Sequence, residues 1–205
     1  MKKRKSIFYC IFSFFIAIFL VYGVLTIASY FMCLNTVKQL PVFKGQEFLR
    51  VKIYGSTYSE TGNTVSAMFS LMDSGENDIA TIERSWSGSY LAVQFAEVKI
   101  QDKNYTFPSR IYSKNRIIEE KEEVKRGTNL EKYYNYNNQC MLFTKGYSDE
   151  DRRNFYRLSK YATEKYPLFN LGQVRTYSID LSDCKPYRYY SVSADSTGKV
   201  IVSEL

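Results

Sequence analysis

From Ile7 to Leu34 the chain carries no charge, no proline and a single glycine, Gly23. Lys2, Lys3, Arg4 and Lys5 stand directly before this run, and the next charge after it is Lys38. As a helix rising about 1.5 Å per residue it covers about 40 Å, against a bilayer hydrocarbon core of about 30 Å. No polar face interrupts it, so it reads as a span and not as a helix lying in the membrane interface.

The run is longer than the apolar stretch of about 7–15 residues in a signal peptide. Thr26-Ile27-Ala28 is a small-x-small site ahead of Ser29, but Cys33 follows Met32 and not a small residue, as a lipoprotein signal requires. The expectation is an uncleaved signal-anchor. The basic flank then keeps residues 1–6 in the cytoplasm. Residues 7–34 cross the bilayer as a transmembrane helix, residues 35–42 form a juncture closed by Pro41, and residues 43–205 form an extracytoplasmic domain, periplasmic or extracellular.

Taking this segment away changes the meaning of the composition. The chain has 205 residues, which leaves roughly 160 for one domain with a real core. The basic flank supplies four of the 28 Lys and Arg and none of the 21 Asp and Glu, so the net charge of +7 falls to +3 for the rest. The remaining charges are mixed in sign along the chain, which argues against nucleic acid as a partner. Histidine is absent. Ser-His-Asp and Cys-His catalysis are therefore excluded, and so is any His metal ligand. Cys10 and Cys33 lie in the apolar run, leaving Cys140 and Cys184 as an even pair in an exported domain. A disulfide between them closes a loop of about 44 residues, worth about 4 kcal/mol on the chain-entropy account.

The domain reads as α+β. Phe48 to Tyr54 alternates, with Phe48, Arg50, Lys52 and Tyr54 on one face and Leu49, Val51 and Ile53 on the other. Gly55 to Asn63 is turn-rich; Thr64 to Met72 and Ile79 to Arg84 are further strands, separated by the loop Asp73 to Asp78. Tyr90 to Ile100 is a long strand whose apolar parity switches near Ala96, which predicts a bulge. A turn at 101–104 leads into Tyr105 to Tyr112, where Pro108 implies an edge position or the end of the strand. Arg116 to Arg126 is the most charged stretch and reads as a solvated face. Thr128-Asn129-Leu130-Glu131 has capping-box spacing for a short helix reaching Tyr134. Asn135 to Gln139 is irregular, and Cys140 to Phe143 is a short strand. Asp149 to Tyr166 is the clearest helix, capped by Ser148, with three acids in its first turn and Pro167 after it. Val174 to Leu181, Tyr187 to Ala194 and Lys199 to Glu204 end the chain as an antiparallel meander. The pattern is a mainly antiparallel sheet domain with one long and one short helix; alternating βαβ units are missing.

Few residues carry chemistry. Ser182 and Lys185 match S-x-x-K, but Pro186 follows at once and the partner motifs of that enzyme class are missing, so the stretch reads as a loop. Asp73, Glu76 and Asp78 crowd one turn without the spacing of a cation loop. No glycine-rich phosphate loop occurs. Aromatic residues are abundant, with 19 Tyr and 14 Phe. Trp86 in its Ser/Gly setting, with Tyr133, Tyr134 and Tyr136 among asparagines, forms the candidate binding surface. The sequence therefore predicts a single-pass membrane protein that meets the lipid bilayer through residues 7–34. Its domain is expected to be a non-catalytic binding module for an envelope protein or a glycan, with no cofactor and no metal. The alternative is a membrane-anchored hydrolase working through carboxylates or through Ser182 and Lys185.

Overall fold

The computed structural model of the protein describes residues 2–60, 62–115, 124, 126–163 and 174–205. Helix α1 (Lys2–Gln39) is unbroken and long and apolar enough to cross a membrane. Its large apolar side chains point outward from Ile11 to Met32; Phe14 is 65 % exposed and Met32 64 %. A helix in a soluble core buries such residues, so this face calls for an apolar surrounding. The hydroxyls of Thr26, Ser29 and Thr36 bond back to the carbonyls of Tyr22, Leu25 and Met32, which removes the cost of carrying them in apolar surroundings. Near the end of α1 the pattern changes. Cys33, Val37 and Leu40, spaced one turn apart, are buried, so the last turns of the helix belong to the core of the β-rich domain.

That core lies between two antiparallel sheets. β1 (Gln46–Ser59), β2 (Gly62–Met72) and β3 (Asp78–Ser87) join β10 (Tyr189–Ala194) and β11 (Val200–Glu204) in a five-stranded sheet of order β11-β10-β1-β2-β3. β4 (Tyr90–Ile100), β5 (Lys103–Lys114), the short β6 (Thr128–Asn129) and β9 (Val174–Asp180) form a four-stranded sheet of order β6-β5-β4-β9. Helix α2 (Glu131–Tyr134), the small hairpin of β7 (Asn135–Tyr136) and β8 (Gln139–Cys140), and helix α3 (Asp149–Thr163) lie between β6 and β9 in sequence. The fold is α+β: an N-terminal apolar helix followed by antiparallel sheets and short helices.

The expected strands form, with informative differences. A register shift between Glu47 and Leu49 turns Phe48 inward, so it stacks on Phe43 at 6.2 Å and meets Phe95 of the other sheet at 6.1 Å. Simple alternation puts Phe48 on the outer face with Arg50, and the shift overrides it. The stretch read as a turn from Gly55 is strand: β1 runs on to Ser59 through a second shift between Ile53 and Gly55, and Gly55 takes φ +146. β3 likewise continues past Arg84 to Ser87. The bulge expected near Ala96 lies one step earlier, between Gln94 and Phe95 in the pairing with β5, where Ser109 is the extra residue. Leu91, Val93, Phe95, Ala96, Val98 and Ile100 all reach one core as a result. Pro108 sits where β5 faces β4 and has no ladder to β6, whose pairing is confined to Arg110 and Ile111.

Three further expectations change. Asn135 to Gln139 is a two-residue hairpin: Asn137 and Asn138 have φ of 48° and 60°, the left-handed pair that asparagine tolerates. Cys140 ends its second strand and does not begin a new one. The C-terminal meander is split, because β9 pairs with β4 while β10 inserts between β1 and β11. Helix α3 begins as expected, with the Ser148 hydroxyl accepting from the Asp151 amide and the Asp151 carboxylate accepting from the Ser148 amide. The charged stretch Arg116 to Arg126, apart from Val124 and Arg126, lies outside the described residues, as do Tyr166 and Pro167 at the expected end of α3.

Candidate functional site

The place where structure concentrates is the junction of α1 with the domain. The Lys103 ammonium, at the first residue of β5, donates to the carbonyls of Val37 (3.0 Å) and Leu40. These are orphan carbonyls at the negative end of a helix dipole, and a cation there satisfies both the hydrogen bonds and the field. The Tyr105 hydroxyl donates to the Pro41 carbonyl at 2.8 Å, and Asn154 of α3 donates to the Gln39 side chain at 3.2 Å. Behind these bonds is an aromatic knot. Phe155 of α3 stacks on Phe143 at 3.8 Å, with Tyr105 and Tyr147 edge-on to Phe155 and Phe43 edge-on to Phe143. Rings in these geometries contribute about 0.5–1.5 kcal/mol per pair beyond the area they bury.

Helix α3 runs antiparallel to the last part of α1. Asn154 is beside Gln39, and seven residues later Tyr161 lies against Cys33 and Tyr30. Burial, and then the neighbouring Cys33 and Tyr30, push the Tyr161 phenol above its ordinary range. Between the two helices is an open groove of about 420 Å³. Ser29, Met32, Cys33 and Thr36 of α1 form one wall, and Tyr156, Arg157, Lys160 and Tyr161 of α3 form the other. Lys160 pairs with Glu131 at 2.8 Å; the Arg157 guanidinium donates to the neutral Asn154 side chain at 3.3 Å. The groove is apolar along α1 and carries net positive charge along α3.

The residues singled out from sequence are scattered. Trp86 is 4 % exposed, edge-on to Phe69 at 5.5 Å, with its indole N–H directed at the Thr128 hydroxyl at 3.4 Å. Because β3 extends to Ser87, Trp86 pairs with Val65 and faces inward while Ser85 and Ser87 face out. Tyr134 is fully buried, and its hydroxyl meets no hydrogen-bond partner. Tyr133 is half-buried under the Lys132 ammonium at 4.8 Å, and only Tyr136, at 69 %, is well exposed. These four therefore make no common surface. Cys140 and Cys184 are free thiols, so the expected disulfide is not formed. Cys140 is buried in the hairpin under α3, whereas Cys184 lies half-buried beside Ile53 and Leu91 in the turn after β9.

Ser182 and Lys185 occupy an exposed turn with no helix to align them; the Lys185 amide is held by the Tyr190 hydroxyl at 2.8 Å. Asp73 is inward and structural. Its carboxylate accepts from the amides of Gly75 and Asn77, each at 2.8 Å, and from the Thr144 hydroxyl at 2.6 Å, which ties the β2–β3 turn to the loop before α3. Burial raises this carboxyl, but the bonds from Thr144, Asn77 and Gly75 outweigh it and hold the group below its ordinary value. Among the described residues, no three or more Cys, Asp or Glu side chains gather as metal ligands.

Sequence reasoning missed Lys103, Arg157 and Lys160. Lys103 reads as an ordinary turn residue, and nothing local announces a carbonyl from 66 residues away. Arg153, Arg157 and Lys160 did leave a signal: spacings of four and three place them on one side of α3, clear of its acidic first turn.

Comparison with known proteins gives no match: no family model, no curated protein and no solved structure is similar to this chain.

Proposed function

We propose that this is a single-pass membrane protein with its basic N-terminus in the cytoplasm. The β-rich domain stands on the other side as a non-catalytic binding module for another envelope protein or a glycan. The observation that carries the reading is the continuity of α1. One helix is outward-apolar from Ile11 to Met32 and then contributes Cys33, Val37 and Leu40 to the domain core. Anchor and module thus share one continuous helix, which suits a domain that must meet its partner at a set height above the bilayer. The outer face of the five-stranded sheet is the candidate contact. There the Lys52 ammonium lies 4.7 Å over the Tyr189 ring and 5.9 Å over Tyr54, beside the polar residues Ser66, Thr81 and Glu83. Aromatic rings set among hydroxyls and charges on an open sheet suit a sugar ring or a polar protein face.

Topology is the first test. In sealed vesicles with the extracytoplasmic face outward, external protease should digest the domain, and the chain should resist carbonate extraction. Protection of the domain, or its release by carbonate, overturns the reading. Photo-cross-linking from position 189 in intact membranes then tests the binding face. Cross-links to an envelope protein or to glycan support it, and adducts no more frequent than from the exposed position 136 refute it.

A further inference from the structure

We infer that the groove between α1 and α3 holds the headgroup of an anionic phospholipid from the leaflet on the domain side. This rests on the membrane-anchor reading and adds a ligand to it.

Depth is the first argument. From Lys5 to Ser29 a helix rises about 36 Å at about 1.5 Å per residue. With the basic flank among the headgroups of one leaflet, a hydrocarbon core of about 30 Å ends before Ser29. The groove, which begins at Ser29 and Met32 and ends at Thr36, therefore starts at the headgroup level of the opposite leaflet.

Charge is the second argument. Because α3 runs antiparallel to α1, its acidic first turn, Asp149, Glu150 and Asp151, lies past the end of α1 and far from the bilayer. Its basic residues Arg157 and Lys160 line the groove opposite the α1 wall of Ser29, Met32, Cys33 and Thr36. Among the described residues Glu131 pairs with Lys160, which leaves the Arg157 guanidinium, donating to the neutral Asn154 side chain at 3.3 Å, as the net charge on the α3 wall of the groove. A guanidinium presents a planar fork that matches two phosphate oxygens. Tyr156 and Tyr161 beside it have the ring-and-hydroxyl character of residues at a membrane interface.

The test uses the full chain purified in mild detergent and exposed to equimolar phosphatidylglycerol and phosphatidylcholine, with bound lipid counted by native mass spectrometry. Wild-type protein should retain phosphatidylglycerol in about fivefold excess, the preference expected of one well-placed arginine. Arg157→Glu should abolish the excess, Arg157→Lys should keep most of it, and Arg153→Glu, the same charge change one turn away, should leave it in place. Equal loss in Arg157→Glu and Arg153→Glu would reduce the effect to general surface charge and overturn the site. Displacement of the lipid by millimolar glycerophosphate would also overturn it, by showing a site for free phosphate esters. A chain that resists carbonate extraction yet shows no lipid preference refutes the groove alone, whereas a chain released by carbonate refutes the anchor.

Discussion

The Lys103 ammonium lies 3.0 Å from the carbonyl oxygen of Val37, so the first residue of β5 caps the end of the apolar helix. The bond does two things at once. It satisfies carbonyls that a helix leaves open at its C-terminus, and it fixes the direction in which the domain leaves the helix. Lys103→Met keeps the aliphatic stem and removes only the cap. The expected cost is about 2 kcal/mol, a fall of about 5 °C in thermal midpoint for a chain of this size. Calorimetry of the full chain in detergent checks it. A midpoint within a degree of wild type would show that the cap is dispensable.

Asp73 predicts a pH dependence of known sign. Its folded-state carboxyl titrates below the ordinary value, because the Thr144, Asn77 and Gly75 bonds overcome the effect of burial. A group whose folded pKa is lowered binds fewer protons folded than unfolded, so it stabilises the fold. That stabilisation is fully present above the unfolded value of about 3.9 and is lost as pH falls through the lower folded value. Asp73→Asn should therefore be less stable than wild type by about 2 kcal/mol at pH 7, with the gap closing below about pH 4. Urea midpoints of both proteins from pH 3 to 7 measure this; a gap constant across that range contradicts the assignment.

Lys114 and Asp180 predict an asymmetry. They join β5 to β9 across β4 in an ion pair of 2.5 Å, with the lysine side chain 6 % exposed and the aspartate 40 %. Burial raises the Asp180 carboxyl, but Lys114 and the Ser182 amide pull it lower than burial raises it. Removing Lys114 leaves a carboxylate that water can reach, whereas removing the Asp180 charge leaves a buried ammonium without its carboxylate. Asp180→Asn should thus cost about 2–3 kcal/mol and Lys114→Met only about 1. Denaturant melts of the two variants decide it, and the reverse order would count against the pairing.

Local signals in the sequence are reliable where local physics decides the outcome. The unbroken apolar helix α1, the Ser148 cap and the alternation of Leu49, Val51 and Ile53 follow from nearest neighbours and appear as expected. What local reading does not supply is where register shifts fall. Phe48 and Gly55 sit at bulges that depend on strands from both ends of the chain, and Trp86 turns inward only because β3 continues opposite Val65. The candidate site is the least legible part, since the cap by Lys103 and the groove at Arg157 exist only once β5, α1 and α3 meet.

Trp86 now predicts a stability effect in place of a binding effect. The indole is packed edge-on to Phe69, with the Arg84 guanidinium 5.3 Å from its ring. Trp86→Ala should cost about 3–5 kcal/mol, and Trp86→Phe clearly less. The contrast is Tyr134, whose buried hydroxyl has no partner: Tyr134→Phe should be at least as stable as wild type, because it removes an unsatisfied polar group. Thermal melts test all three, with the single tryptophan as a built-in fluorescent probe for the last. A stable Trp86→Ala would show that the ring contributes no packing.

The thiols predict an order of reactivity. Cys184 is half-buried, and burial, with Asp183 and Asp180 adding, pushes its pKa to about 11. Cys140 is completely buried, and burial pushes its thiol up as well. Thiolate is the reacting species, so alkylation of Cys184 in the folded protein should be slow at pH 7.5 and rise about tenfold per pH unit toward pH 11. Cys140 should stay unmodified until the domain unfolds, then react at the rate of an ordinary thiol. Mass spectrometry after timed iodoacetamide exposure, without reductant, follows both residues at once. A Cys140–Cys184 cross-link in the unreduced protein, or equal labelling of the two thiols in the folded state, would contradict this placement.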